Sequence, residues 1–194
     1  PLGHPIYESI IRMDTGNDAR SAYNQLTGQI HADILSNQLN NSRQIKETLL
    51  SQIKNAEIIN REKESAGNKG HVWAKILYNW ETTSNDGNAN SYDASTYGVL
   101  LGADQRVSHD KMLLGIATGV TKTSLSGDNS HANSENYHLS LYGGYDFDTI
   151  VFRAGASNTF HRIHTTKSVN YGVQSDKNKA NYNGNTSQIF IEAA

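Results

Sequence analysis

Tyr97-Gly98-Val99-Leu100-Leu101-Gly102-Ala103-Asp104 places an apolar or aromatic residue at every second position, with mostly small or polar residues between. Leu114-Gly115-Ile116-Ala117-Thr118-Gly119-Val120-Thr121 has the same form, as does Tyr137-His138-Leu139-Ser140-Leu141-Tyr142-Gly143-Gly144-Tyr145-Asp146-Phe147. A period of two gives each strand one greasy face and one polar face. A water-soluble β-sandwich shares that alternation. Strand length, aromatic placement and overall polarity favour a membrane barrel instead.

Hydrophobic residues make up 36% of the 194-residue chain, below the ~45–50% of an ordinary soluble domain. Mean hydropathy is −0.62, and the polarity comes from Asn, Ser, Thr and Gly rather than from a charged tract. A transmembrane barrel has this profile, because its apolar band faces outward and its lumen is wet. No stretch approaches the ~18 consecutive apolar residues of a membrane-spanning helix. The net charge of −2 carries no electrostatic footprint for nucleic acid. The absence of cysteine suits passage through an oxidising periplasm. Pro1-Leu2-Gly3-His4-Pro5 is no signal peptide, so an exported protein would carry its leader further upstream.

The chain divides near Gly67, giving a helical linker or pore segment over residues 1–70 and a strand-rich unit over 71–194. Ala22, Leu26, Ile30 and Ile34 are spaced three and four apart, followed by Ile45, Leu49, Ile53 and Ile58. This pattern predicts helix from 18 to about 63, capped by Asp18 and broken or recapped at Asn40-Asn41-Ser42. Strands are expected at Val72–Thr83, Tyr92–Val107, Met112–Leu125, Tyr137–Phe147, Ile150–Thr165 and Ser187–Ala194. Ser108–Lys111 and Asp148-Thr149 read as tight turns. The links at 84–91, 126–136 and 166–186 read as long loops. Short turns on one rim and long loops on the other suit an antiparallel up-and-down outer-membrane barrel. Tyr78, Trp80, Tyr92, Tyr137, Tyr145 and Phe147 lie near expected strand ends, where an aromatic girdle would sit.

Leu26-Thr27-Gly28-Gln29-Ile30-His31-Ala32, Tyr92-Asp93-Ala94-Ser95-Thr96-Tyr97 running on to Asp104, and Tyr137 to Tyr145 resemble the C-terminal translocator β-domain of autotransporters (type V secretion). The resemblance implies an outer-membrane barrel in a Gram-negative bacterium that secretes its own N-terminal passenger polypeptide, with the helix occupying the pore. It implies the outer-membrane lipid as surroundings and the barrel-assembly machinery as a partner during insertion. The family's closing strand, with its terminal aromatic residue, is not found. The chain stops inside a strand at Ile189-Phe190-Ile191-Glu192-Ala193-Ala194, so the first half of a barrel is expected. Six strands alone would leave open edges, which hydrocarbon does not tolerate.

Candidate chemistry is sparse. No HExxH, GxSxG or P-loop pattern occurs, so no enzyme, metal site or cofactor is expected. His161 and His164, three apart on a strand, project to opposite faces. Some relatives in the resembled family cleave the passenger by cyclisation of a helix asparagine, which would nominate Asn40 and Asn41. Their surroundings do not otherwise match that subgroup, and a helix break is the plainer reading. The alternation places Lys75, Asp104, Arg106, Asp146, Arg153 and Glu192 in the lumen with Glu81, where Arg20, Arg43 and Lys46 of the helix could pair with them. It turns Val99, Leu101, Leu114, Ile116, Leu139, Leu141 and Phe152 to lipid, and Gly98, Gly115, Ser140 and Gly144 to the lumen. A charge facing lipid at mid-bilayer would cost about 2–4 kcal/mol, which fixes that register. A non-secretory porin or adhesin barrel, and a soluble β-rich binding module, are the alternatives.

Overall fold

A computed structural model describes residues 8, 15–16, 27–62, 70–85, 90–107, 111–147, 149–171 and 174–194. Helix α1 (Gln29–Glu62) precedes six strands, β1 (Gly70–Thr83), β2 (Tyr92–Val107), β3 (Met112–Gly127), β4 (Ser130–Asp146), β5 (Val151–Tyr171) and β6 (Gln174–Ala193). The strands form one antiparallel sheet in the order β1-β2-β3-β4-β5-β6, with β1 and β6 at its edges. Each register is continuous along its ladder.

Cross-strand pairs place aromatic rings over glycines. Trp73 sits opposite Gly102, Tyr142 opposite Gly115 and Phe190 opposite Gly155. A Cβ on any of these glycines would lie 2.3–2.4 Å from the ring, so only glycine lets the ring lie flat across the neighbouring strand. The bare backbone is covered by the ring, which recovers the packing that glycine itself lacks.

Alternation sends every second side chain to each face. On the convex face Val72, Ile76, Leu101, Ile116, Leu141 and Ile189 stand between 49% and 88% exposed. That contiguous apolar surface far exceeds what a soluble monomer leaves to water. On the concave face lies α1. Its buried stripe of Ile30, Ile34, Asn37, Asn41, Ile45, Leu49, Ile53 and Ala56 repeats at three and four residues and meets the sheet. The opposite helix face leaves Leu35 and Leu39 56% and 58% exposed.

Several expectations require correction. The helix is unbroken from Gln29 to Glu62, so Asn40-Asn41-Ser42 neither ends nor recaps it. Asn37 and Asn41 give their amides to side chains rather than competing for the helix backbone, as capping asparagines do. The expected loop at 126–136 is a tight hairpin. Gly127 pairs with Ser130 around Asp128-Asn129, and Asn129 takes the left-handed φ of 56° that asparagine tolerates. β4 therefore starts at Ser130, and β5 and β6 run far into the expected 166–186 loop. Those polar runs lack a greasy face because they rise past the apolar band, where the backbone ladder needs no apolar side chains. Tyr92 faces inward at 7% exposure and is no girdle residue. Asp18, Gly67 and residues 108–110 lie outside the described residues.

Candidate functional site

The concave face carries three bands along α1. Near the helix start, Ile30 and Ile34 pack with Tyr92, Ala94, Leu125, Ala132 and Ile163. Toward its end, Ile45, Leu49, Ile53 and Ala56 pack with Leu77, Leu100, Leu113, Tyr142 and Phe190. Between them runs a polar belt. Asn41 Nδ2 donates to Asn37 Oδ1 at 2.9 Å and to Thr123 Oγ1 at 3.3 Å. Thr96 and Thr123 share a hydrogen bond of 2.8 Å, and Asn136 Nδ2 donates to Thr121 Oγ1 at 3.1 Å. His138 bridges Thr121 and Thr159 at 3.0 and 2.9 Å. His161 bridges Asn136 and Thr186 at 2.7 and 2.9 Å. The belt thus links five strands, β2 to β6, to one helix side chain. Buried networks of this kind fix a register, since orphaning one buried member costs about 1–3 kcal/mol.

The charged residues are spread along this face. Arg153, 8% exposed, makes a two-pronged contact with Glu57 of α1, Nε to Oε1 at 3.1 Å and Nη2 to Oε2 at 2.8 Å. Its Nη1 reaches Glu192 at 2.7 Å, and Lys54 Nζ meets the same carboxylate at 2.9 Å. Helix, β5 and β6 are thereby joined by charge-assisted bonds of fixed geometry. Asp104, 4% exposed, accepts from Tyr142 Oη at 2.8 Å and Gln52 Nε2 at 3.2 Å, with His71 Nδ1 at 3.5 Å. Arg106 directs Nη2 to the Ala56 carbonyl at 3.5 Å. Lys75 lines a groove between β1 and α1 with Gln44, Gln52 and Trp73. Asp146 sits at the end of β4 on the helix-facing register.

The pairings expected for Arg43 and Lys46 are not the ones present. Arg43 bonds Glu47 on its own helix and is 72% exposed; Arg20 lies outside the described residues. Lys54, Glu57 and Gln52 carry the helix side instead. Their spacing to Ile53 and Ala56 on one helical face was the available signal. Glu81 accepts from Asn40 Nδ2 at 3.0 Å, Asn37 Nδ2 at 3.3 Å and Tyr92 Oη at 2.9 Å, so Asn40 is tied to the wall within intact helix.

The two ends of α1 mark the two rims. At its start, Gln29 Nε2 donates to the Asn90 carbonyl before β2 at 3.1 Å. There too His31 meets Tyr182 Oη at 2.8 Å, and Lys167 donates to the Thr27 carbonyl. This is the rim of the β1–β2 connection and the tall β3–β4 and β5–β6 hairpins. At the far rim lie the salt bridges of Lys54 and Glu57, beside the ends of β4 and β6.

A helix laid along the inner face of an antiparallel sheet whose outer face is apolar is the arrangement of a membrane-barrel domain. The autotransporter beta-domain family matches residues 72–194, and the chain belongs to that family, whose barrels sit in the outer membrane of Gram-negative bacteria. An "Extracellular serine protease" of Serratia marcescens is 46% identical over 192 residues, covering 98% of this chain and 18% of that protein. Outer membrane protein B of Rickettsia prowazekii (strain Madrid E) is 30% identical over 144 residues, covering 70% of this chain and 8% of that protein. The translocator domain of the autotransporter NalP from Neisseria meningitidis superposes with a TM-score of 0.53 at 12% identity, over 78% of this chain and 52% of that one. That likeness concerns the fold. The chain spans about a fifth of the length of its Serratia relative.

Proposed function

We propose that this chain is the pore helix and part of the barrel wall of a translocator that carries its own N-terminal passenger across the outer membrane. In this reading residues 1–70 form the linker and pore segment and 71–194 the wall. The concave face, with Lys75, Asp104, Arg106, Asp146, Arg153 and Glu192, lines the lumen. The observation that carries the reading is the direction of α1: its N-terminal end leaves by the rim of the tall hairpins, so whatever precedes it emerges there. Outer-membrane barrels extend furthest beyond the bilayer on the outside; here the tall β3–β4 and β5–β6 hairpins and the β1–β2 connection do so, which puts the passenger at the cell surface. Catalysis, if the whole protein has any, resides in that passenger. Edge strands β1 and β6 are completed by further wall strands, with the barrel-assembly machinery engaging them during insertion, because unpaired backbone groups in hydrocarbon cost several kcal/mol each.

A reporter fused ahead of residue 27 in the complete outer-membrane protein tests this. The reporter should be cleaved by protease added to intact cells. A folded, heat-modifiable barrel with the reporter retained in the periplasm would remove the translocator reading. Asn40 and Asn41 act as anchors of the helix, not as a cleavage site. Both lie in unbroken helix with their amides committed to wall side chains, Asn40 to Glu81 and Asn41 to Thr123. Mass spectrometry of the purified protein should find the Asn40–Asn41 and Asn41–Ser42 bonds intact; a product beginning at Asn41 or Ser42 would overturn this.

A further inference from the structure

The outer wall changes character abruptly at one level. Along β4 the outward positions Tyr137, Leu139, Leu141 and Tyr145 are apolar or aromatic, and one step toward the tall hairpins stands Glu135. The same step on the neighbouring strands gives Lys122 and Arg162, the three lying in register across β3, β4 and β5. Glu135 is committed to Lys122 at 2.9 Å. Arg162 lies with Cζ 5.6 Å over the Tyr137 ring, its side chain exposed. One row higher is His164, exposed and donating Nδ1 to Asn181 Oδ1 at 2.8 Å. The next row brings His131 and Lys179 level through Thr166, both exposed. Apart from Glu135, the carboxylates near the patch are Asp128, exposed in the β3–β4 turn, and Asp93, two strands away on β2. The result is a cationic patch over β4–β6 on the face that meets lipid rather than the lumen, directly above Tyr137 and Leu139 on β4 and Phe160 on β5, while Asn158, Asn185 and Ser187 carry polar surface lower on β5 and β6.

We propose that this patch binds the phosphate groups of the phosphorylated glycolipid (lipid A) of the outer leaflet, with Arg162 as its centre and Lys179 and His164 as its upper edge. Three features favour a lipid headgroup over a free anion. The patch is open to the side, where a lipid lies. Its lower border is the apolar band that acyl chains would cover. Arg162 lies with its guanidinium carbon 5.6 Å from the Tyr137 ring centre, and its planar fork can meet phosphate oxygens pairwise. Arg153 on the lumen side is by contrast saturated with carboxylates. The proposal rests on the translocator reading only for which leaflet the tall hairpins occupy.

The test uses the complete outer-membrane protein carrying this chain, as wild type and as Arg162→Gln with Lys179→Gln, in nanodiscs. Each is challenged with bisphosphorylated lipid A, with lipid A stripped of phosphate, and with phosphatidylglycerol, and retained lipid is counted by native mass spectrometry. Phosphorylated lipid A should be retained selectively, and the double variant should weaken it by about fivefold per cation, about 25-fold together, while heat-modifiable migration stays unchanged. Equal retention of the dephosphorylated form, equal retention of phosphatidylglycerol, full displacement by inorganic phosphate, or an unaltered double variant would each overturn it. Labelling of a Ser126→Cys variant on intact cells by a membrane-impermeant maleimide checks orientation separately. If that cysteine labels and lipid A is not selected, the lipid site alone is wrong. If it does not label, the leaflet assignment fails and takes the site with it.

Discussion

Gly115 lets the Tyr142 ring lie across its own strand and bring the hydroxyl onto Asp104 at 2.8 Å, where Trp73 Nε1 also donates to it at 2.7 Å. A methyl group at Gly115 would stand 2.3 Å from the ring, so ring or strand must move and both bonds with it. Gly115→Ala should lower stability by about 1–3 kcal/mol, read as a lower urea midpoint of the folded barrel. Gly184→Ala is the matched control. Its Cβ would meet nothing nearer than 3.7 Å, and its effect should stay within about 0.5 kcal/mol. At Arg153 the argument concerns charge. Arg153→Met leaves Glu57 and Glu192 facing each other without their shared cation and should cost about 2 kcal/mol. Adding Glu57→Gln to that variant should restore part of the loss, because the stranded charge is gone while Glu192 keeps Lys54. A double variant less stable than Arg153→Met would show that repulsion is not the cause.

At the scale of elements, α1 is held at both ends by polar contacts and along its middle by the Asn41 belt. Asn41→Leu removes the donor to Thr123 and leaves the belt's threonine oxygens without their helix partner. It should destabilise docking of the helix by about 1–3 kcal/mol while β2–β6 stay folded. Faster amide exchange confined to residues 30–56 would report that; exchange spread through the strands would mean helix and wall unfold as one. Most of the six strands was legible in the sequence wherever one face meets lipid. Val99, Leu101, Leu114, Ile116, Leu139, Leu141 and Phe152 take the outward register, and Gly98, Gly115, Ser140, Gly144 and Arg153 the inward one. Legibility failed where that solvent changes. Above Tyr137 both faces of β4 are polar, His131, Asn133 and Glu135 outward and Ser134 and Asn136 inward, so no period of two survives and the run reads as loop. The site was legible as strand charges but not as partners. A strand register states that Arg153 points inward, while its meeting with Glu57 depends on the depth at which α1 sits. That depth is set by packing around Leu49 and Ile53, both fully buried.

The whole molecule is an open sheet around a helix covered on one side, with Leu35 and Leu39 on the uncovered side and β1 and β6 as free edges among the described strands. On the proposed reading these edges are completed by further wall strands, and the chain alone should not migrate as a heat-resistant monomeric barrel in detergent. The central claim is that the sheet spans the outer membrane with α1 inside it. Because the chain contains no cysteine, each introduced cysteine is the one thiol of this segment, read by peptide mapping after labelling. The most direct measurement is a cysteine scan of Leu113 to Val120 in the complete protein in native membranes, labelled with a lipid-soluble maleimide. Leu114, Ile116, Thr118 and Val120 should react, and Leu113, Gly115, Ala117 and Gly119 should be protected. Uniform labelling, or labelling of the second set alone, would contradict the account.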